Sequence, residues 1–232
     1  MYSDKVIIAC DFANGKETLE FLDLFGEIRP FVKIGMELFY AEGGGIVNTL
    51  KKRGHKIFLD LKLHDIPNTV KKTMKVLSGY GVDMINLHAA GTKAMMSAAL
   101  EGVTRPDGSR PLVIAVTQLT STGEGALNDE LLISSSMEET VIKYAQNARE
   151  AGLDGVVCSP REASTVHKAC GIDFITVTPG IRFEDKSDDD QVRIATPAFA
   201  LQAGCDYIVV GRPITASNNP VNAYFRCINE FK

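Results

Sequence analysis

The stretch IFLDLKLHDIPNTVKKTMKVLS, residues 57–78, reads as one strand, one loop and one helix. Its opening run at 57–61 is strand-length and apolar apart from Asp60, with Lys56 and Lys62 on either side. Pro67 suits the first turn of a helix, where a missing N–H costs nothing. Val70, Met74 and Leu77 follow at a spacing that sets them on one helical face.

The same unit recurs on both sides. Short β-branched runs lie at 6–10, 31–34, 83–87, 112–116, 155–158, 174–177 and 207–210, eight with 57–61 included. Helical spacing fills the intervals, as with Met137, Val141, Ala145 and Ala148. Strands that are apolar throughout, rather than alternating, indicate a parallel sheet covered on both faces. Eight such units in 232 residues fit a closed (β/α)8 TIM barrel of α/β class, with an open doubly wound sheet as the rival. No linker or low-complexity stretch divides the chain, so 1–232 is expected to be a single domain.

Polar residues gather at the C-terminal ends of these runs: Asp11, Lys33, Asp60 with Lys62, His88, Thr117 with Thr120, Pro179-Gly180 and Gly211-Arg212. A barrel would bring all of them to one rim. That rim is where such folds place their chemistry, with phosphate commonly held after strands seven and eight.

Composition narrows the function. With 45% hydrophobic and 23% charged residues, the chain is of ordinary globular type. A net charge of −4 and a pI near 5.6 argue against a nucleic-acid surface, so any bound phosphate must meet a local positive site. The apolar runs are far shorter than a membrane span, and MYSDKVIIACDF lacks the pattern of a signal peptide, so a cytoplasmic location is expected. Five scattered cysteines without a C-x-x-C pair are expected to be buried thiols.

Asp60 and Lys62, two apart in an extended segment, should point to the same side. A structural ion pair is the bland reading. Barrel interiors favour Val, Ile and Leu, however, and burying two charges there is costly unless they are paired or functional. Asp65 before Pro67 reads equally as a capping carboxylate, Asn68 and Thr69 as helix-start residues, His64 as a loop or packing histidine, and Lys33 as a surface lysine. Together Lys33, Asp60, Lys62 and Asp65 make a roughly neutral set that requires no metal. No metal-binding, nucleotide-loop, dinucleotide or serine-hydrolase motif is found.

The string DLKLHDIPNT, 60–69, resembles the D-x-K-x-x-D signature of orotidine 5′-monophosphate decarboxylases. The likeness runs over nearly the whole chain, through ACDF at 9–12, VKIG at 32–35, VTPGIR at 177–182 and VGRPIT at 210–215. It implies a barrel that converts orotidine monophosphate to uridine monophosphate and carbon dioxide, without cofactor, as a homodimer. It further implies that Asp11 and Lys33 hold ribose hydroxyls, that Lys33 orients Asp60, and that Asp60 sits beside the substrate carboxylate. Lys62 would be the proton donor, with Asp65 and Thr69 reaching into the neighbouring subunit's site. Thr120 would contact the pyrimidine, with Thr117 and Ser121 as close alternatives, and Arg182, Gln191, Gly211 and Arg212 would form the phosphate end.

Loss of carbon dioxide from C6 leaves an electron pair with no adjacent carbonyl to receive it, so a fixed positive charge must stabilise it. Alternating Lys and Asp would keep Lys62 charged for that purpose. The acidic stretch at 181–191 reads either as a solvated loop or as a lid whose acidic middle faces solvent while Arg182 and Gln191 turn inward. Two rivals stand: a metal-dependent sugar-phosphate decarboxylase or aldolase of the same broader group, against which Lys33 argues by its charge, and a non-catalytic phosphate-binding barrel.

Overall fold

A computed structural model describes residues 5–184 and 195–232. Its strands are β1 (Val6–Ala9), β2 (Phe31–Gly35), β3 (Ile57–Leu63), β4 (Met84–His88), β5 (Leu112–Val116), β6 (Gly155–Val157), β7 (Ile175–Thr178) and β8 (Tyr207–Val210). The helices are α1 (Gly15–Asp23), α2 (Met36–Glu42), α3 (Gly44–Lys52), α4 (Pro67–Ser78), α5 (Thr92–Val103), α6 (Met137–Glu150), α7 (Ala163–Cys170), α8 (Pro197–Gln202), α9 (Arg212–Thr215) and α10 (Pro220–Glu230). Each strand pairs in parallel with the next, and β8 pairs back onto β1 through Val6↔Ile208, Ile7↔Val209 and Ile8↔Val210. The sheet therefore closes, which settles the choice between barrel and open sheet.

Period-two alternation divides each strand between two cores. Ile7, Phe31, Phe58, Met84, Ile114, Val177 and Val209 fill the barrel interior. Their neighbours Ile8, Val32, Leu59, Ile85 and Val113 face outward, onto a shell that includes Val70, Met74 and Leu77 of α4 and Val141, Ala145 and Ala148 of α6. Both faces are buried, which is why the strands read as continuous apolar runs. Pro67 opens α4 as its spacing predicts, and α6 starts on a capping box in which Ser136 and Glu139 satisfy each other's backbone N–H.

The lower rim carries a repeat that the sequence reading missed. Gly-x-Asp stands at 81–83, 152–154 and 204–206, just before β4, β6 and β8, while a further copy at 171–173, before β7, sends Asp173 to Arg149 instead. In the first three, each glycine has a positive φ (72°, 90° and 79°), open to glycine at little cost. Each of their aspartates then reaches the preceding strand: Asp83 Oδ2 accepts the Ile57 N–H at 2.8 Å, Asp154 Oδ2 the Val113 N–H at 2.7 Å, and Asp206 Oδ2 the Thr176 N–H at 2.8 Å. Lys51, a two-pronged Arg110 and His167 back the three carboxylates. Alternate strands are thus tied to their predecessors at the end opposite the polar rim.

All five cysteines are buried thiols. Among the described residues no helix is long and apolar enough to cross a membrane.

Candidate active site

The inward stripes change character along their length. Ala9 is followed by Asp11, Phe31 by Lys33, Phe58 by Asp60 and Lys62, and Met84 by Asn86 and His88, so an apolar floor carries a polar upper layer. Above that floor lies a cavity of about 620 Å³, lined by Asp11, Lys33, Asp60, Lys62, Arg182 and Arg212 among others.

Four charges form a chain across three strands. Lys33 Nζ lies 2.9 Å from Asp11 Oδ1 and 3.2 Å from Asp60 Oδ2, and Lys62 Nζ lies 2.7 Å from Asp60 Oδ1. The side chains of Lys33 and Asp60 are only 11% and 9% exposed, whereas Lys62 keeps 26% and Asp11 58%, so the chain runs from solvent into the wall and out to the cavity. Burial alone would push the Lys33 ammonium down, yet the carboxylates of Asp60 and Asp11 outweigh it and hold it above its ordinary value. Burial likewise opposes ionisation of Asp60, and the ammonium groups of Lys33 and Lys62 reverse the balance and hold its carboxyl below the usual range. A Cβ at Gly35 would come within 3.1 Å of both Asp11 Oδ1 and Lys33 Nζ, so the missing side chain leaves that ion pair its room.

The strand that carries Asp60 and Lys62 is not regular. Leu59 pairs with Ile85 and Leu63 with Leu87, so Asp60, Leu61 and Lys62 stand opposite Asn86 alone. Lys62 takes φ 51°, a left-handed conformation costing a non-glycine residue about 1–2 kcal/mol. The extended conformation expected at Lys62 is therefore corrected. Both side chains still reach the interior, but over a bulge that aims Lys62 at the cavity. Asn86 fills the gap: its Oδ1 accepts the Lys62 N–H at 2.8 Å and its Nδ2 donates to Asp60 Oδ1 at 2.7 Å. Asn86 is wholly buried and was missed, although a polar residue inside the run at 83–87 was the same signal that marked Asp60.

The loop residues divide. Thr120 and Ser121 both line the cavity, as do Gln118 and Leu119, which the sequence reading missed for want of any pattern in a loop. Thr117 is 2% exposed, donates its hydroxyl to the Val157 carbonyl at 3.0 Å and is not among the lining residues. Arg182, Gly180, Gly211 and Arg212 meet at the end of the cavity beyond β7 and β8. Gln191 and the acidic middle of the 181–191 stretch lie outside the described residues.

Asp65 and Thr69 are exposed and do not line their own chain's cavity. The helix-capping reading of Asp65 is corrected too: Ile66 occupies the cap of α4, and Asp65 Oδ1 accepts the Ile66 N–H at 2.6 Å instead. Within one chain Asp11, rather than Asp65, completes the two-cation, two-carboxylate set. His64 packs against His88 with ring centroids 5.8 Å apart, and burial, followed by His64 and Lys62, lowers the His88 imidazole below its ordinary value.

Comparison with known proteins agrees with this geometry. The family model described as orotidine 5′-phosphate decarboxylase / HUMPS family matches residues 4–227. The chain is 54% identical to the orotidine 5′-phosphate decarboxylase of Geobacillus sp. strain WCH70, covering 99% of this chain and 98% of that one, and 54% identical to that of Bacillus licheniformis, over 97% and 96%. Among solved structures, the orotidine 5′-phosphate decarboxylase of Lactobacillus acidophilus superposes with a TM-score of 0.89 at 40% identity, covering 99% of this chain and all of that one. An uncharacterized conserved protein from Geobacillus kaustophilus gives 0.88 at 47% identity, over 98% of this chain and 100% of that chain. With a family match spanning most of its length and relatives this similar from end to end, the chain belongs to the orotidine 5′-phosphate decarboxylase / HUMPS family.

Proposed function

We propose that this protein decarboxylates orotidine 5′-monophosphate to uridine 5′-monophosphate, with the nucleotide bound in the rim cavity and the whole chain, 1–232, serving as one catalytic domain. The observation that carries this reading is the Lys62 ammonium, braced 2.7 Å from Asp60 Oδ1 and turned into the cavity of a chain of this family. Breaking the bond between C6 and its carboxylate releases carbon dioxide and leaves the electron pair on C6. Lys62 stabilises that charge and transfers a proton from Nζ to C6, and Nζ regains its proton from solvent.

Magnitudes decide which effect dominates. A substrate carboxylate held ~4 Å from Asp60 would be repelled by roughly 4 kcal/mol at an effective dielectric of about 20, or about a thousandfold in rate. Enzymes typically achieve ~10⁶ or more, so stabilisation of the developing carbanion by Lys62 must supply most of the acceleration. Lys33, held by Asp11 and Asp60, keeps Asp60 ionised and shares the ribose hydroxyls with Asp11. Thr120 contacts the pyrimidine, with Ser121 beside it as the alternative donor, and Arg182, Gly211 and Arg212 bind the phosphate together with Gln191.

The working unit is a homodimer in the cytoplasm, in which Asp65 and Thr69 enter the partner's cavity; their exposure and absence from their own chain's cavity fit this arrangement. The metal-dependent sugar-phosphate reading fits less well, because the Lys33 ammonium occupies the space between Asp11 and Asp60 where a divalent ion would need both carboxylates. The experiment is to follow the absorbance of orotidine monophosphate, and to assay a pentulose phosphate acid in parallel, each with and without chelator. Chelator-insensitive loss of orotidine monophosphate supports the proposal. Turnover of the sugar phosphate alone, abolished by chelator, contradicts it.

A further inference from the structure

We propose that Asn86 is a positioning residue for the decarboxylation, holding both the backbone of Lys62 and the carboxylate of Asp60 through one side-chain amide. The inference rests on the reading of the rim cavity as the site of that reaction. Asn86 does not line the cavity; it lies behind Asp60 and Lys62, which do.

The bulge in β3 creates the need for Asn86. Because three residues of β3 face one of β4, the Lys62 N–H is displaced from the ladder, and buried N–H groups without partners cost about 1–3 kcal/mol. Asn86 Oδ1 takes that N–H at 2.8 Å, which makes the left-handed conformation of Lys62 tenable. Its Nδ2 holds Asp60 Oδ1 at 2.7 Å, the same oxygen that meets Lys62 Nζ. Partner chemistry fixes which way the amide points, since a backbone N–H can only donate and a carboxylate can only accept. One planar group thereby sets the distance between the start of the Lys62 side chain and the anion its tip must meet.

The neighbouring strands set the charge around this amide. β3 presents Asp60 and Lys62, β2 presents Lys33 on the far oxygen of Asp60, and β4 itself carries His88, with His64 stacked beyond it. On the β5 side the neighbours are Ile114, in register with Asn86, and Val116.

Two variants test the inference in the full-length protein. Asn86→Ala removes both bonds, and kcat should fall about 100-fold, the cost of a ~1 Å misplacement, while KM moves by no more than about threefold. Asn86→Asp has the same shape and retains both bonds only when protonated, its carbonyl accepting from Lys62 and its hydroxyl donating to Asp60. Ionised, it sets a second carboxylate against Asp60. The ratio of kcat for Asn86→Asp to that of the unsubstituted protein should therefore climb at least about tenfold as pH is lowered from about 8 to about 5. Taking the ratio removes any pH dependence that the two proteins have in common. A ratio flat across that range, or Asn86→Ala within threefold of the unsubstituted kcat, overturns the role. Failure of the unsubstituted protein to decarboxylate the nucleotide is a separate result and would sink the proposed function instead.

Discussion

Asp60 is the residue on which the electrostatics turn. One carboxylate receives Lys62 and Asn86 on Oδ1 and Lys33 near Oδ2, and these partners hold it ionised in a place that burial makes hostile to charge. Because its folded pKa lies below the ordinary 3.8, its contribution to stability is present above pH 3.8 and is lost as pH falls through the folded value. Lys33 has the opposite sign: its contribution is present below pH 10.5 and is lost as pH rises through the raised folded value. Urea unfolding between about pH 5 and pH 2.5 should thus show stability falling more steeply in the unsubstituted protein than in Asp60→Asn, and parallel acid slopes would contradict this. At this scale the sequence was a good guide to which side chains face inward, because alternation is a property of the pleat. It was blind to the φ of Lys62 and to Asn86, because a bulge depends on the register of β3 against β4, and no single strand records that.

Among the elements, the eight strands and their helices were legible because each buries both strand faces or one helix face, and burial leaves a period in the sequence. Boundaries shifted by a residue at several strands. Only β3 grew by two, through Lys62 and Leu63, because the charged Lys62 interrupts the apolar run on which the expectation relied. The Gly-x-Asp repeat before β4, β6 and β8 was present in the sequence but carries no hydrophobic period, and its meaning appears only when each aspartate reaches the neighbouring strand. Asp154 combines a two-pronged Arg110 with the Val113 N–H. Asp154→Ala leaves that N–H and Arg110 without their partner, and it should lower stability by about 2 kcal/mol with kcat unchanged, since it lies on the rim opposite the cavity. Calorimetric melting beside the decarboxylation assay checks both halves; a loss of kcat in a fully folded variant would contradict the division of labour between rims.

For the whole molecule, closure of the barrel turns residues far apart in the chain, Asp11, Lys33, Asp60 and Arg212, into the wall of one cavity. The proposed second copy would complete it. If Asp65 acts across a two-fold interface, mixing Lys62→Ala chains with Asp65→Ala chains creates dimers that hold one intact site, and equal mixing should restore about a quarter of native activity. Should Asp65 serve its own chain, every site in the mixture stays defective and no activity returns.

The most direct measurement concerns the ammonium of Lys62. Lys62→Ala should lose all measurable decarboxylation of orotidine monophosphate while calorimetry still detects binding of uridine 5′-monophosphate, since Arg182, Gly211 and Arg212, the proposed phosphate end of the cavity, are left in place. Turnover near that of the unsubstituted protein would mean that the charge on this side chain does not carry the reaction, and the account would fail at its centre.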